Sequence, residues 1–385
     1  MNPLALYIHW PFCVSKCPYC DFNSHVRDSV DQQQWLGALL ADMAHEARLT
    51  SGRQLSSIFF GGGTPSLMPP ATVAALISAA ERLWGFEPDI EITLEANPSS
   101  VEAARFVDIA AAGVNRVSLG LQSLDDEALH FLGRAHSVTE SLAALDIAQR
   151  EFDRVNIDLI YARPDQSGAQ WEAELNRALG FGTSHMSLYQ LTIEPGTRFA
   201  TLVREGIFTP ADDDESAGLY EMTWEMTAHA GIPAYEISNH ARPGEESRHN
   251  LSYWRYRDYI GIGPGAHGRR LRAATQRHRK PENFLSAIGR NQHAIAQEEP
   301  LDGGTRAMEA LLMGLRLVEG VDLDVVTSLS GIPVASLVDF QAIEKIQKLG
   351  LVQRTGNHIA VTAAGMPLLD AILPEIVMVE PLPAA

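Results

Sequence analysis

Cysteine is nearly absent from this chain of 385 residues: its three cysteines, Cys13, Cys17 and Cys20, sit in one short segment. An odd number packed so closely does not make the disulfide framework of a secreted domain, and clustered thiols suit a metal centre in a reducing compartment. Long apolar runs are missing too. No stretch approaches the ~18 to 20 residues that a membrane-spanning helix needs, and the opening Met1-Asn2-Pro3-Leu4 has no basic segment leading into an apolar one. A cytoplasmic protein without a transmembrane segment is expected. Positive charge is also in deficit: 30 Lys plus Arg stand against 48 Asp plus Glu, a formal net charge of −18. That field opposes phosphate backbones and anionic lipid, so nucleic acid is not an expected partner. Repeats and low-complexity tracts do not stand out. The apolar and charged fractions, 45% and 20%, are those of a self-folding globular chain, and the length suits two or three domains or a large barrel with an appendage.

Short β-rich runs at Leu4 to His9, Ser57 to Phe60, Ile90 to Ala96, Arg116 to Gln122, Val155 to Tyr161 and His185 to Thr192 alternate with helically spaced segments. The helical segments are Gln32 to Leu49, Ala71 to Leu83, Val101 to Ala112, Thr139 to Arg150 and Gln170 to Leu179. Strand followed by helix, repeated six times, predicts a parallel sheet. The unusual residues decide its shape. The cysteines follow strand one, Gly61-Gly62-Gly63-Thr64-Pro65 follows strand two, and Glu95, Gln122 and Asp158 fall at or near the ends of strands three to five. Only a barrel-like sheet converges all these ends on one mouth. The predicted fold is an α/β partial (β/α)6 TIM-like barrel over residues 1–235. A loop-rich region and linker over 236–300 and a mostly helical, winged-helix-like domain over 301–385 complete it. In the last, three helices near Arg306 to Leu317, Asp322 to Leu329 and Val334 to Leu349 precede a hairpin around Thr355-Gly356-Asn357. Asp212 to Glu215 read as an acidic helix start over Asp212 to His229.

Three and then two residues separate the cysteines, a spacing that can wrap one centre of soft ligands: zinc, completed by His25, or an iron-sulfur cluster. Pro11, Pro18, Phe12, Tyr19 and Phe22 would stiffen and dry the loop. If the centre is a cubane of four irons, three thiolates leave one iron open to an outside chelate. The glycine-rich segment lacks the Lys-Ser/Thr of a phosphate loop, and Gly261 to Ala266 lacks the setting of a dinucleotide fingerprint. Glu95, Gln122 and Asp158 are polar groups in apolar strands and need partners. Arg134 offers a fork of donors.

The Cys-x3-Cys-x2-Cys loop after the first strand resembles the radical S-adenosylmethionine family. There the open iron is chelated by the methionine moiety, and the reduced cluster cleaves the sulfonium to give a 5′-deoxyadenosyl radical. The resemblance narrows to the branch holding oxygen-independent coproporphyrinogen oxidases and HemW haem chaperones. It rests on Leu6-Tyr7-Ile8-His9-Trp10-Pro11-Phe12-Cys13, on Cys17-Pro18-Tyr19-Cys20-Asp21-Phe22-Asn23-Ser24-His25, on the GGGTP loop and on Ile157-Asp158-Leu159-Ile160-Tyr161. It implies a 4Fe-4S cluster on Cys13, Cys17 and Cys20. It assigns S-adenosylmethionine to Tyr7, Tyr19, Gly62, Gly63, Thr64, Glu95, Gln122, Arg134 and Asp158, with Thr192 and His267 aligning more loosely.

Two departures separate the chain from the decarboxylating oxidases. Those have a further cysteine two positions after the third ligand, where this chain has Phe22, and an N-terminal extension before the first strand. His249-Asn250-x-x-Tyr253-Trp254 instead matches the HNxxYW segment of the chaperones. His and Tyr can ligate haem iron, and Tyr and Trp offer faces to a flat macrocycle. The plainer reading is a hydrogen-bonded loop packed on the barrel. The resemblance therefore implies a haem chaperone, with haem on His249, Tyr253 and Trp254, that delivers to recipient haemoproteins such as respiratory enzymes and can form a homodimer. Coproporphyrinogen III decarboxylation is the alternative.

Overall fold

The computed structural model describes residues 3–27 and 29–379. Residues 1–2 and 380–385, at the ends of the predicted first and third segments, lie outside it. Among the described residues no helix is long and apolar enough to cross a membrane.

One large sheet organises the chain. Its strands are β1 (Leu4–Trp10), β2 (Leu55–Gly62), β3 (Phe86–Ala96), β4 (Arg116–Gln122), β5 (Arg154–Tyr161), β6 (His185–Gln190), β7 (Asn239–Ala241), β8 (Tyr259–Ile262), β9 (His267–Arg270), β10 (Ala273–Arg277) and β11 (Ile295–Pro300). The spatial order is β11-β10-β9-β8-β1-β2-β3-β4-β5-β6-β7. From β8 through β6 all neighbours are parallel, and β7 and β9 to β11 add antiparallel edges. The sheet has two free ends, so the barrel stays open. Each strand presents two kinds of residue in alternation, as a pleated strand must. Val117, Leu119 and Leu121 of β4, and Ile157 and Leu159 of β5, join the hydrophobic core under the surrounding helices. Arg116, Ser118, Gly120 and Gln122, with Asn156 and Asp158, face the cavity inside.

The six expected strands and the helix Gln32–Leu49 form where the periodicity places them. Asp31 caps that helix through Gln33 N and Gln34 N, and Asp212 caps Asp213–His229 in a capping box with Glu215. Two expected helices break. Val101 to Ala112 divides into Ser100–Ala103 and Phe106–Ala111, and Val334 to Leu349 into a 3-10 turn Val334–Ser336 and a helix Phe340–Lys348 started by the Asp339 cap.

The larger difference is 236–300, read from sequence as loop-rich. It holds the helix Arg248–Trp254, the strands β7 to β11 and the helix Pro281–Asn291. Its strands escape an apolar pattern because ions bury part of them. Arg277 reaches Asp42 at 3.2 Å and Glu46 at 2.5 Å, Arg270 reaches Glu46 at 2.6 Å, and both acids lie fully buried on Gln32–Leu49. Gly263 N and Ala294 N also donate to Asp42.

The C-terminal unit has its own core, with Leu311, Leu323, Ile343, Ile359 and Leu373 among its members. Beside its helices lies a small antiparallel sheet in the order Val321–Asp322, His358–Val361, Val352–Thr355.

Candidate functional site

β1 ends at Trp10, and the chain turns into a loop closed by a parallel two-residue pairing of Phe12–Cys13 with His25–Val26. Trp10, Phe12 and Trp35 pack edge to face beneath it at 5.1 to 6.2 Å. His9 fixes the far side: its ring lies 3.0 Å from Tyr7 Oη and 2.9 Å from Asn23 O, while Asn23 Nδ2 donates to Pro264 O and Arg279 O. The loop so held turns Cys13, Cys17 and Cys20 toward one cavity, none of them in a disulfide. Cys13 Sγ accepts from Thr64 Oγ1 at 3.5 Å, and Cys17 Sγ from Arg134 Nη1 at 3.3 Å. Burial pushes the Cys13 and Cys20 thiols up.

His25 is not part of this wall. Its neighbours are Arg27 and Glu282, its Nε2 has no partner, and among the described residues no group of three or more His, Cys, Asp or Glu forms a site for a single metal ion. A Cys3His zinc site completed by His25 therefore does not fit. A half-dry loop of three thiols beside a cavity does fit a cluster that needs room at its fourth corner.

The glycine segment is packed too closely for any side chain. At Gly62, φ +115°, a Cβ would lie 2.5 Å from the His9 ring; at Gly63 it would lie 2.7 Å from Phe12 O and 3.0 Å from Cys13 Sγ. Gly62 N donates to Glu95 Oε2 at 3.1 Å. Burial first, and the Asp158 charge second, raise the Glu95 carboxyl to about 8, against the pull of that N–H. Burial also raises Asp158, though Ser118 Oγ at 3.2 Å and Asn156 Nδ2 at 2.7 Å donate to it. Gln122 ends β4 at φ +69°, a left-handed backbone uncommon for a side-chain-bearing residue and a mark of local strain.

Arg134 differs from its expected use as a free fork. Nη1 donates to Cys17 Sγ and to Tyr19 Oη at 3.4 Å, and Nη2 to Asn97 Oδ1 at 2.5 Å and Gly120 O at 3.2 Å. It ties the cysteine loop to the strand ends, so its reach toward a ligand carboxylate depends on letting one of these go.

Tyr7, Tyr19, Gly62, Gly63, Thr64, Glu95, Gln122, Arg134 and Asp158 all line the cavity of about 1140 Å³, with the three cysteines and Thr192. His267 does not; it begins β9 and meets Gln276.

At the other end of the barrel the helix Arg248–Trp254 forms the floor. Glu91 of β3 holds its first turn, accepting from Ser247 Oγ, Arg248 N and His249 N at 3.0 to 3.2 Å while pairing with Arg154 at 2.7 Å. His249 and Tyr253 line the cavity, but both His249 nitrogens are engaged, with Ser57 Oγ at 2.9 Å and Tyr253 Oη at 2.7 Å. Burial lowers the His249 pKa to about 3, so the ring is neutral. Trp254, expected beside them, is not among the residues lining the cavity, and its Nε1 is buried and unpartnered.

Sequence reasoning missed several cavity residues: Arg116, Ser118, Asn156, Ser187 and Tyr189. A signal existed in the polar residues that recur at every second position of β4, β5 and β6.

A family described as the radical SAM superfamily matches residues 7–178, and the HemN C-terminal domain matches 301–368. The chain is 36% identical over 382 residues to the mitochondrial radical S-adenosyl methionine domain-containing protein 1 of Bos taurus, covering 96% of this chain and 86% of that protein. To the heme chaperone HemW of Escherichia coli (strain K12) it is 39% identical over 331 residues, covering 83% and 84%. To that of Mycobacterium tuberculosis (strain ATCC 25618 / H37Rv) it is 34% identical over 378 residues, covering 97% and 94%. The solved coproporphyrinogen III oxidase (HemN) from Escherichia coli superposes with a TM-score of 0.82 over 97% of this chain and 90% of that one, at 23% identity, a likeness of fold.

Proposed function

The chain belongs to the radical SAM superfamily, in the HemN-like branch close to HemW, and from that premise we propose that it is a haem chaperone working in the cytoplasm. In this reading Cys13, Cys17 and Cys20 hold a 4Fe-4S cluster, S-adenosylmethionine shares their cavity, and haem is carried for delivery to recipient haemoproteins. One observation carries it: a single cavity is walled at its mouth by the three cysteines and at its floor by His249 and Tyr253 of the HNxxYW helix.

When bound, the cluster supplies one-electron reduction of a sulfonium. The residues supply placement. Gly62 and Gly63 would let the backbone approach the methionine end, and Glu95, Gln122 and Asp158 would offer the nucleoside acceptors and donors. Arg134 holds the cysteine loop against the strand ends. His249 would hold the haem iron through Nε2, the nitrogen that now meets Tyr253 Oη, while Ser57 Oγ would keep the other nitrogen oriented. Phe22 stands where the decarboxylating branch has a further cysteine, which favours carriage over decarboxylation.

The test uses the full chain reconstituted anaerobically, with iron and sulfide assayed first. Haem titration should shift the Soret band of the wild type and give a different spectrum for His249→Ala. With reductant, S-adenosylmethionine and coproporphyrinogen III, no product above a protein-free control is expected; product would move the chain to the oxidase reading.

A further inference from the structure

Arg116 is the exception among the buried arginines. Arg163, Arg270 and Arg277 each meet a carboxylate within 2.6 Å, and Arg269, whose Nε is also unpartnered, lies 3.6 Å over the Tyr256 ring with Arg257 O as acceptor. Arg116, only 2% exposed, makes one long bond, from Nη1 to Thr93 Oγ1 at 3.4 Å, and its Nε has no partner. Among the described residues it forms no ion pair within 4 Å. Glu91 is near enough to feel its charge, but commits its carboxylate to Arg154 and the floor helix. Asp158 is also within electrostatic reach and is occupied by Ser118 and Asn156. These acids offset the charge of Arg116 without using its donors, and a buried guanidinium fork without acceptors is costly.

The fork lines the cavity rather than dead space. Across the same lumen stand aromatic faces: Tyr7 stacks on Phe59 at 6.2 Å, Phe59 on His249 at 5.0 Å, and Tyr253 meets His249 edge-on at 4.9 Å. At about 1140 Å³ the cavity exceeds the roughly 300 to 1,000 Å³ of a usual single-ligand pocket. Planar donors matched to a carboxylate, facing aromatic walls matched to a flat apolar body, describe a ligand that has both.

We infer that Arg116 anchors a carboxylate subsite near the barrel floor, and that it takes a propionate of the tetrapyrrole. The inference rests on the proposed haem-carrying function and adds to it the group by which haem is oriented.

The experiment compares ferric haem with its dimethyl ester, in which both propionates are masked, by Soret titration of the cluster-reconstituted full chain. Wild type should prefer haem by about tenfold or more, ~1.4 kcal/mol. In Arg116→Leu the two ligands should bind alike, and Arg116→Lys should recover part of the preference; S-adenosylmethionine affinity should hold in both variants. Wild type that binds both ligands equally overturns the subsite and leaves the chaperone reading standing. If wild type binds neither, both fall. A loss of S-adenosylmethionine affinity in Arg116→Leu, with discrimination between haem and ester intact, reassigns the fork to the methionine carboxylate and also overturns it. Should Arg116→Leu not fold, Arg116→Gln takes its place, and a haem preference there equal to that of the wild type overturns the assignment.

Discussion

At the scale of single residues the cavity is a set of polar groups kept in a dry barrel, and their protonation follows from that. Glu95 and Asp158 face one space and each disfavours the charge of the other, on top of the cost of burial. A carboxyl held at about 8 in the folded chain, against ~4.3 when unfolded, binds more protons folded than unfolded across that window. Its contribution to stability is therefore complete below the lower value and is lost as pH rises toward about 8. Without cluster or ligand, the Tm of wild type should fall relative to Glu95→Gln between about pH 5 and pH 8. A difference in Tm that does not change with pH would mean that Glu95 is already ionised. The same residues show what a sequence conceals. Glu95, Gln122 and Asp158 stood out as polar groups at or near strand ends, whereas Arg116 opens its strand and carried no such signal.

At the scale of elements, two short pieces are held by side chains from distant strands. The loop 10–25 is anchored through His9 and Asn23, and the helix Arg248–Trp254 through Glu91. Seven residues are too few to be stable as a free helix, so the Glu91 carboxylate and its Arg154 partner fix where His249 points. Arg154 is partly exposed and keeps its second partner, Glu245 at 2.8 Å, so removing Glu91 costs mainly the acceptor of the helix N–H groups, about 1 to 3 kcal/mol. Urea unfolding of Glu91→Leu should show a loss of this order, with Glu91→Gln intermediate because an amide oxygen still accepts from the helix N–H groups. A cost below about 1 kcal/mol would mean that Glu91 behaves as a solvated surface partner. The motif His249-Asn250-x-x-Tyr253-Trp254 was legible as a motif, but its position was not. Nothing local says that it closes a barrel floor, or that Trp254 lies outside the cavity.

At the scale of the whole molecule, the described residues form two large hydrophobic cores and a small third one around Leu132, Ile160 and Phe199, and residues from the barrel side pack against the C-terminal core. Tyr256 belongs to the C-terminal core although it follows the floor helix, and Tyr220, Trp224 and Ile237 pack against that core from the barrel side. Tyr256 Oη bonds to Glu309, Arg255 pairs with Glu319 at 2.6 Å, and Asp370 of the C-terminal unit reaches the cavity wall. Units joined this way should melt together. Calorimetry of the full chain is expected to show one transition, and Tyr256→Ala, which opens a cavity worth ~3 to 5 kcal/mol, should split or broaden it. Two separated transitions in the wild type would mean that the boundary contacts contribute little.

The sequence alone determined the repeating strand-helix order and the cysteine loop, because hydrophobic periodicity and thiol spacing are local properties. It also determined the side of the sheet on which the loop lies, since parallel strands bring their carboxyl ends to one rim. Only the tertiary structure decided that β8 to β11 extend the sheet, because Asp42 and Glu46 neutralise Arg270 and Arg277 from a helix more than 200 positions earlier. It alone decided that Arg134 is engaged, that His25 stands apart and that Arg116 is not paired. Each depends on which groups meet across the barrel, and a charge shows its partner only once the chain has closed around it.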